Sequence, residues 1–308
     1  ACLVGSEMCI RDRWIRWVSW ILLTPIILFV ILMVLLYVPP VQNLLRREVT
    51  AYASKATGMQ IQVERIDLRF PLNLLVRGVE VIQQPDTLLS LESLNVRVQA
   101  WPLIKGKVEV DEVTLSRVAV NSADLMEGMN IKGVLGRFFL QSHGVDLSNE
   151  LAVINQVELS DTHVQLLMND TTTTPKDTTA SAPINWKVAL HQLKLKNVSF
   201  SMQLPADSMR MAAHIGEAAI DDAQADLKNQ YYDLKKFLLS GTSASYDTGT
   251  AQPTEGFDAS HIAVRDIRIA LDSLLYKGRD MNAVIREFTM NERSGLSVTS
   301  LTGRAYSN

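Results

Sequence analysis

The sequence predicts a mainly β protein in which a transmembrane helix and a short amphipathic helix precede a long, curved, antiparallel sheet of repeat-like strands. Three observations predict this class. Residues 17–38 form an uncharged apolar run, residues 41–57 carry apolar side chains at helical spacing, and apolar and polar residues alternate from residue 59 onward. We therefore expect an anchor at 14–38, a capping helix at 41–57 and a β-groove domain at 59–308.

The composition excludes some functions at the outset. The chain has 308 residues, of which 47% are hydrophobic and 20% charged, as is typical of a globular protein. Its 30 basic and 33 acidic residues give a net charge of -3, so there is no broad cationic surface. The charge balance predicts no binding to nucleic acid.

The two ends of the sequence differ from the rest. Residues 1–13 resemble translated adapter sequence and are left out of the fold prediction. They contain both cysteines, Cys2 and Cys9, so no disulfide or thiolate metal site is expected after them. The other end stops in a strand-like stretch without a closing signal, which predicts that the chain is a fragment.

The uncharged run WVSWILLTPIILFVILMVLLYV at residues 17–38 predicts the anchor. As a helix it spans about 33 Å, enough for the hydrocarbon core of a bilayer. Its two ends carry aromatic residues of the kind that are enriched at membrane interfaces, namely Trp14, Trp17, Trp20 and Tyr37. A cleaved signal peptide needs a shorter apolar region followed by small residues, whereas this run ends in LLYVPP, so an uncleaved anchor is favoured. Arginine and lysine residues are balanced on its two sides and leave the orientation open.

A second helix is predicted directly after the anchor. Val41, Leu45, Val49 and Tyr52 fall at helical spacing, and Gly58 stands where a C-terminal cap belongs. We interpret the apolar stripe as a packing face that closes the end of the sheet, with a lipid-binding face as the alternative.

One spelling recurs through the strand-like region: apolar residues at offsets 0, 3 and 5, with polar residues or glycine between them. At 100° per residue these offsets point in different directions on a helix, so they indicate strands. Because strict alternation would separate offset 0 from offsets 3 and 5, the two-residue gap predicts a bulge or bend, and recurrent bulges would curve the sheet. The copies begin at Val63, Val76, Leu91, Val110, Ile154, Leu190, Val264 and Ile285.

Offsets 3 and 5 are predicted to line the concave face of the curved sheet. A closed core filled by its own side chains is the alternative, although the aromatic content of 6% favours an open face slightly. The candidate lining residues are Ile66, Leu68, Val79, Val81, Leu94, Val96, Val113, Leu115, Val157, Leu159, Leu193, Leu195, Ile267 and Ile269.

No catalytic, cofactor or metal site is predicted. The five histidines are isolated and none has metal-ligand spacing, and no serine stands in a nucleophile elbow. The acidic pair Asp221 and Asp222 is typical of a turn. The Thr-rich residues 169–183 predict a mobile loop. The sequence thus predicts a protein that is not an enzyme.

The order of these features resembles the start of the TamB and AsmA-like family of envelope proteins. The likeness is carried over residues 14–121 by an uncleaved anchor, the stretch PPVQNLLRREVTAYASKATGMQIQVERIDLRF, and strands such as LVRGVEV and VEVDEVTLSRVAV. The resemblance implies an inner-membrane anchor, a periplasmic bulk, and a U-shaped β-groove whose apolar interior binds phospholipid acyl chains on their way to the outer membrane. It also implies an outer-membrane β-barrel assembly partner of the BamA and TamA type. A scaffold that helps to insert outer-membrane proteins without carrying lipid is the alternative, with an anchored enzyme third.

Overall fold

A computed structural model describes residues 24, 38–69, 72–99, 102, 109–122, 125, 128–146, 150–169 and 185–307. The predicted anchor at 14–38 lies outside these residues except for Thr24 and Val38, and only Asn169 of the predicted loop 169–183 lies within them. Within the described part of the chain, no helix combines the length and the apolar character needed to cross a bilayer.

The described residues form one helix and one open, twelve-stranded sheet in which the strands follow one another in chain order. The prediction of a mainly β fold is confirmed. A short 3-10 turn, Pro205–Asp207, separates β7 from β8. The elements are α1 (Pro39–Thr57), β1 (Gln60–Arg69), β2 (Asn73–Gln83), β3 (Asp86–Val98), β4 (Val110–Asn121), β5 (Met129–Asp146), β6 (Leu151–Met168), β7 (Lys187–Leu204), β8 (Met209–Asp226), β9 (Tyr231–Asp247), β10 (His261–Lys277), β11 (Asp280–Glu292) and β12 (Ser297–Ser307).

One strand pair departs from the predicted antiparallel sheet. β6 and β7 are parallel, with Leu151 opposite Lys187 and Leu167 opposite Gln203, whereas every other neighbouring pair is antiparallel. A parallel pair needs a long connection, and the chain between Met168 and Lys187 is long enough to supply it. Alternation of apolar and polar residues is the same in both kinds of pairing, so the sequence pattern could not reveal the direction.

Helix α1 covers the β1 edge of the sheet. Gly58 ends it with a left-handed φ of 70°, as predicted from its position. An uncovered edge strand would present unpaired backbone groups, and α1 reduces this exposure by packing on β1. Helix side chains bond four backbone groups of β1: Gln42 Nε2 donates to Leu68 O (3.0 Å), Arg46 Nη1 donates to Glu64 O (2.7 Å) and to Val63 O (3.4 Å), and Ile61 N donates to Ser54 Oγ (3.1 Å).

Some of the two-residue gaps of the recurring spelling coincide with irregularities in the ladder. Between β3 and β4, Arg97 is opposite Glu112 but Val98 is opposite Val110, so Asp111 is an extra residue. Asn155 is extra in the same way between β5 and β6. The predicted bulges at these two gaps are confirmed, and bulges bend a strand and increase its twist.

A second kind of irregularity crosses the sheet from β2 to β9, and we call it the left-handed line. Along it, residues with positive φ alternate with residues of ordinary conformation except across the parallel pair β6–β7, where both members have positive φ, and the paired residues on either side place each member opposite the next. Gly136 and Gly216 are required there, because an added Cβ would lie 2.7 Å from Asp161 Cβ or 2.8 Å from Gly241 O. The line consists of Gly78 (φ 58°), Glu92, Arg117 (φ 46°), Gly136, Asp161 (φ 51°), Asn197 (φ 53°), Gly216 and Gly241 (φ 59°).

The left-handed line explains the missing alternation. A left-handed residue turns the backbone out of the pleat, so the apolar positions shift by one on crossing it: Val76 before Gly78 and Val79 after it, or Leu115 before Arg117 and Val118 after it. Aspartate and asparagine enter this region more readily than other residues with a Cβ, which suits Asp161 and Asn197.

Candidate functional site

The register aligns apolar residues into two continuous rows that run across the strands. Each member is directly opposite the next, and the rows are two residues apart on every strand from β1 to β10, so they lie on one face. Row A consists of Ile66, Val76, Leu94, Leu115, Phe138, Leu159, Leu195, Ala218, Leu239, Ile269, Phe288 and Leu301. Row B consists of Leu68, Leu74, Val96, Val113, Leu140, Val157, Leu193, Ile220, Phe237, Leu271 and Ile285.

Most of the predicted lining residues fall in these rows. Val79, Val81 and Ile267 do not: Val79 and Val81 lie beyond the left-handed Gly78, and Ile267 is opposite Thr242, which lies beyond the left-handed Gly241. Row A contains the predicted residues Ile66, Leu94, Leu115, Leu159, Leu195 and Ile269, and row B contains Leu68, Val96, Val113, Val157 and Leu193.

The three exceptions have a common cause. The same spelling marks different irregularities on different strands: the gap contains Gly78 of the left-handed line in β2, but the bulge residue Asp111 in β4. Offsets 3 and 5 therefore do not fall on the same side of the left-handed line in every strand. Rows A and B occupy the band next to this line.

Several row members were not predicted. β5 carries the spelling at Leu135, Phe138 and Leu140, with Gly136 and Arg137 in the gap. The apolar pattern of a strand is thus present in β5, but the irregular sequence on both sides of it does not predict a strand. β8 carries it as Ile215, Ala218 and Ile220, where alanine in the central position weakens the pattern.

The apolar face is uncovered within the described part of the chain. No large side chain is fully buried there, and the principal packing joins neighbouring strands, or α1 with β1. In rows A and B only Ile66 (8% exposed) and Ala218 (7%) are buried, whereas the other members keep partial exposure. A closed two-layer core would bury the large members of both rows. The described residues thus form an open sheet, and the closed-core alternative finds no support in them.

The opposite face carries many charged side chains. Pairs of oppositely charged residues link neighbouring strands across it, and exposed pairs of this kind contribute about 0–1 kcal/mol each. They distinguish this face from the one that carries rows A and B. The pairs include Arg97–Glu112 (2.9 Å), Lys187–Asp226 (3.6 Å), Lys236–Asp221 (3.6 Å), Arg268–Glu287 (3.5 Å) and Arg286–Asp272 (3.3 Å).

Among the residues that the structure describes, the polar side chains assemble no catalytic triad. His214 Nδ1 lies 2.9 Å from Ser199 Oγ, but no hydrogen bond within the described residues joins a carboxylate to this histidine, as a triad requires. His191 contacts Asp222 at 2.9 Å on an exposed surface. No group of three or more histidine, cysteine, aspartate or glutamate residues that could hold a metal ion occurs among the residues described.

The strongest electrostatic effect belongs to a turn. Backbone N–H groups of Thr254 and Ser260 donate to Asp258 and lower the pKa of its carboxyl from 3.8 to about 2, with a smaller contribution from His261. His261 Nδ1 lies 3.0 Å from this carboxylate and is buried. The arrangement fixes the connection between β9 and β10, away from rows A and B.

No protein-family model and no curated protein matches this chain. The resemblance noted in the sequence therefore stays a prediction.

Proposed function

We propose that this chain is an inner-membrane-anchored periplasmic protein whose sheet forms a groove for phospholipid acyl chains, in transport between the inner and outer membranes. One observation carries the proposal: rows A and B run across the sheet without a break from β1 to β11 and are not covered by other described residues. A lipid transporter needs such a surface, since an acyl chain gains about 0.8 kcal/mol per methylene removed from water.

The direction of the rows suits transport better than storage. Twelve strands at about 4.8 Å spacing give an apolar path of about 53 Å perpendicular to the strands. Leucine, isoleucine, valine and phenylalanine dominate the path, and no charged residue belongs to row A or row B. A bound acyl chain would therefore meet similar surfaces at successive strands and no strong barrier to sliding.

The U shape of the groove, the membrane anchor and the partner belong to the same proposal. Bulges at Asp111 and Asn155, together with the left-handed line, support curvature because each bends its strand. The uncharged residues 17–38 would hold α1 and β1 at the inner membrane. An outer-membrane β-barrel assembly protein of the BamA and TamA type would receive the opposite end.

Lipid bound to the purified protein tests this function. The full chain is extracted in a mild detergent, washed, and the retained lipid is quantified by mass spectrometry. We expect phospholipid to co-purify, and we expect the charge substitutions Leu115→Asp and Leu195→Asp in row A to reduce it. The matched variants Thr114→Asp and Lys194→Asp alter the neighbouring positions and should retain it. Equal retention by all four variants would contradict the groove.

A second candidate function is a scaffold for inserting outer-membrane proteins. Strand β12 supports it, because this edge is almost wholly exposed, with Leu301 at 44% and Tyr306 at 76%, and no described helix covers it as α1 covers β1. Such an edge can pair with a strand of a client protein. Cross-links from Tyr306 to outer-membrane proteins, without lipid in the groove, would favour the scaffold.

A further inference from the structure

The polar face contains a cavity of about 470 Å³ that the groove does not use. Its walls come from β7 to β10 and from Arg293, which directly follows β11. Ser199, His214 and Ser243 are opposite one another in the register, and Ala212, Ser245 and Ala263 form the adjoining row.

Alternation along β7 and β8 turns the side chains of Ser199 and His214 to the side of the sheet opposite Phe200. The residues aligned between the two lining rows are Phe200, Ala213, Ala244 and Val264, and the last three also line the cavity. Phe200, the largest of these side chains, is absent from the lining. Neither row A nor row B contributes a residue to the cavity lining.

The lining is cationic. Arg265 and Arg293 contribute guanidinium groups, His214 contributes an imidazole, and no aspartate or glutamate lines the cavity. The rest of the lining is serine and alanine, with Val264, and the short side chains leave the space open. We call this cavity the cationic hollow.

Arg265 differs from the arginines that follow it on the same hairpin. Arg268 faces Glu287 at 3.5 Å and Arg286 faces Asp272 at 3.3 Å. Arg265 makes no ion pair with any described residue and is exposed. Its charge is therefore available to an anion from solution.

Arg293 is held in place. Its backbone N–H donates to Ala263 O at 2.9 Å, and its Nη2 donates to His261 O at 3.1 Å. A guanidinium has five N–H donors, so the Arg293 side chain still has donors for a ligand. Because this side chain is already held in place, binding a ligand costs less conformational entropy. Ser199 Oγ and His214 Nδ1, 2.9 Å apart, add a further polar wall.

We propose that the cationic hollow binds a phosphate-bearing group. Two guanidinium groups, an imidazole and serine hydroxyls match the oxygens and the negative charge of a phosphate, and charge-assisted bonds of this kind are the strong ones. The volume falls within the range of small-ligand sites. The group can belong to a free phosphate ester or to a lipid headgroup in a membrane surface.

Titration calorimetry on the full chain in a non-ionic detergent tests the site. Inorganic phosphate and glycerol 3-phosphate are the soluble probes. We expect both to bind, and Arg265→Gln or Arg293→Gln to weaken binding about tenfold. Ala212→Leu fills the exposed floor without changing charge and should also weaken binding. Arg279→Gln, in the turn between β10 and β11, is the matched control and should bind like the unaltered chain.

Co-sedimentation with vesicles distinguishes the two sources. Binding to phosphatidylglycerol vesicles that falls in Arg265→Gln, with phosphatidylcholine binding unchanged, identifies a headgroup site. Phosphate binding without this difference identifies a soluble ester. The proposal is overturned if neither soluble probe binds and Arg265→Gln leaves vesicle binding unchanged, or if Arg279→Gln weakens phosphate binding as much as Arg265→Gln.

Discussion

The substitution Leu159→Asp tests whether the apolar face is open. Leu159 belongs to row A, between Phe138 and Leu195, and keeps partial exposure. Full burial of a leucine is worth about 1.5–3 kcal/mol, so losing the partial burial seen here should cost about 1–2 kcal/mol. In a closed core the same change would leave an unpaired buried charge and cost about 3–5 kcal/mol. The open sheet predicts the smaller value because water can reach the carboxylate.

Urea unfolding of the full chain, followed by the circular dichroism of the sheet, measures the difference. Ser160→Asp is the matched control, since Ser160 lies between Arg137 and Lys196 in the register and a carboxylate there should change stability by less than about 1 kcal/mol. We expect both variants to fold and Leu159→Asp to unfold at moderately lower urea. A Leu159→Asp chain that does not fold, beside a normal Ser160→Asp chain, would refute the open face.

Three other predictions concern stability. Gly216→Ala should lower the free energy of unfolding by about 1–3 kcal/mol, because its Cβ would lie 2.8 Å from the backbone oxygen of Gly241; Gly303→Ala, with open space around it, is the control, and equal effects in urea unfolding would contradict the account. Acidification should lower the free energy of unfolding, because the lowered pKa of Asp258 contributes stability above about pH 4 that is lost as the pH falls toward 2. Asp258→Asn should remove that part of the pH dependence of unfolding, and an unchanged pH profile in this variant would count against the assignment. Arg46→Ala should speed amide exchange in β1 but not in β9, measured by hydrogen–deuterium exchange, because its side chain bonds Glu64 O; uniform exchange rates would argue against the edge cover.

The strands could be predicted because alternation is a local property. The offsets 0, 3 and 5 locate strand after strand, and the gap residues Asp111 and Asn155 are bulges as expected. Gly58 predicts the end of α1 because few other residues accept its left-handed conformation.

The left-handed positions, the parallel strand pair and the uncovered face depend on contacts between strands, which a local sequence pattern does not contain. The left-handed conformations of Arg117 and Asp161 are set by the strands beside them, and arginine gives no sign of such a position. For the same reason the sequence pattern predicts Val79 and Ile267 in the same band as Leu115, whereas Val79 lies beyond Gly78 and Ile267 is opposite Thr242, beyond Gly241. The parallel pairing of β6 and β7, and the absence of a covering layer, are likewise properties of the assembled sheet.

Site-specific photocross-linking in cells tests the central claim most directly, that rows A and B carry acyl chains. A benzophenone side chain is placed at one row A position and, in a separate chain, at its neighbour on the polar face. The pairs are Leu115 with Thr114, Leu159 with Glu158, and Ile269 with Arg268. The groove predicts phospholipid adducts at Leu115, Leu159 and Ile269, and none above background at their partners. Equal labelling within each pair, or no lipid adduct at any row A position, would contradict it.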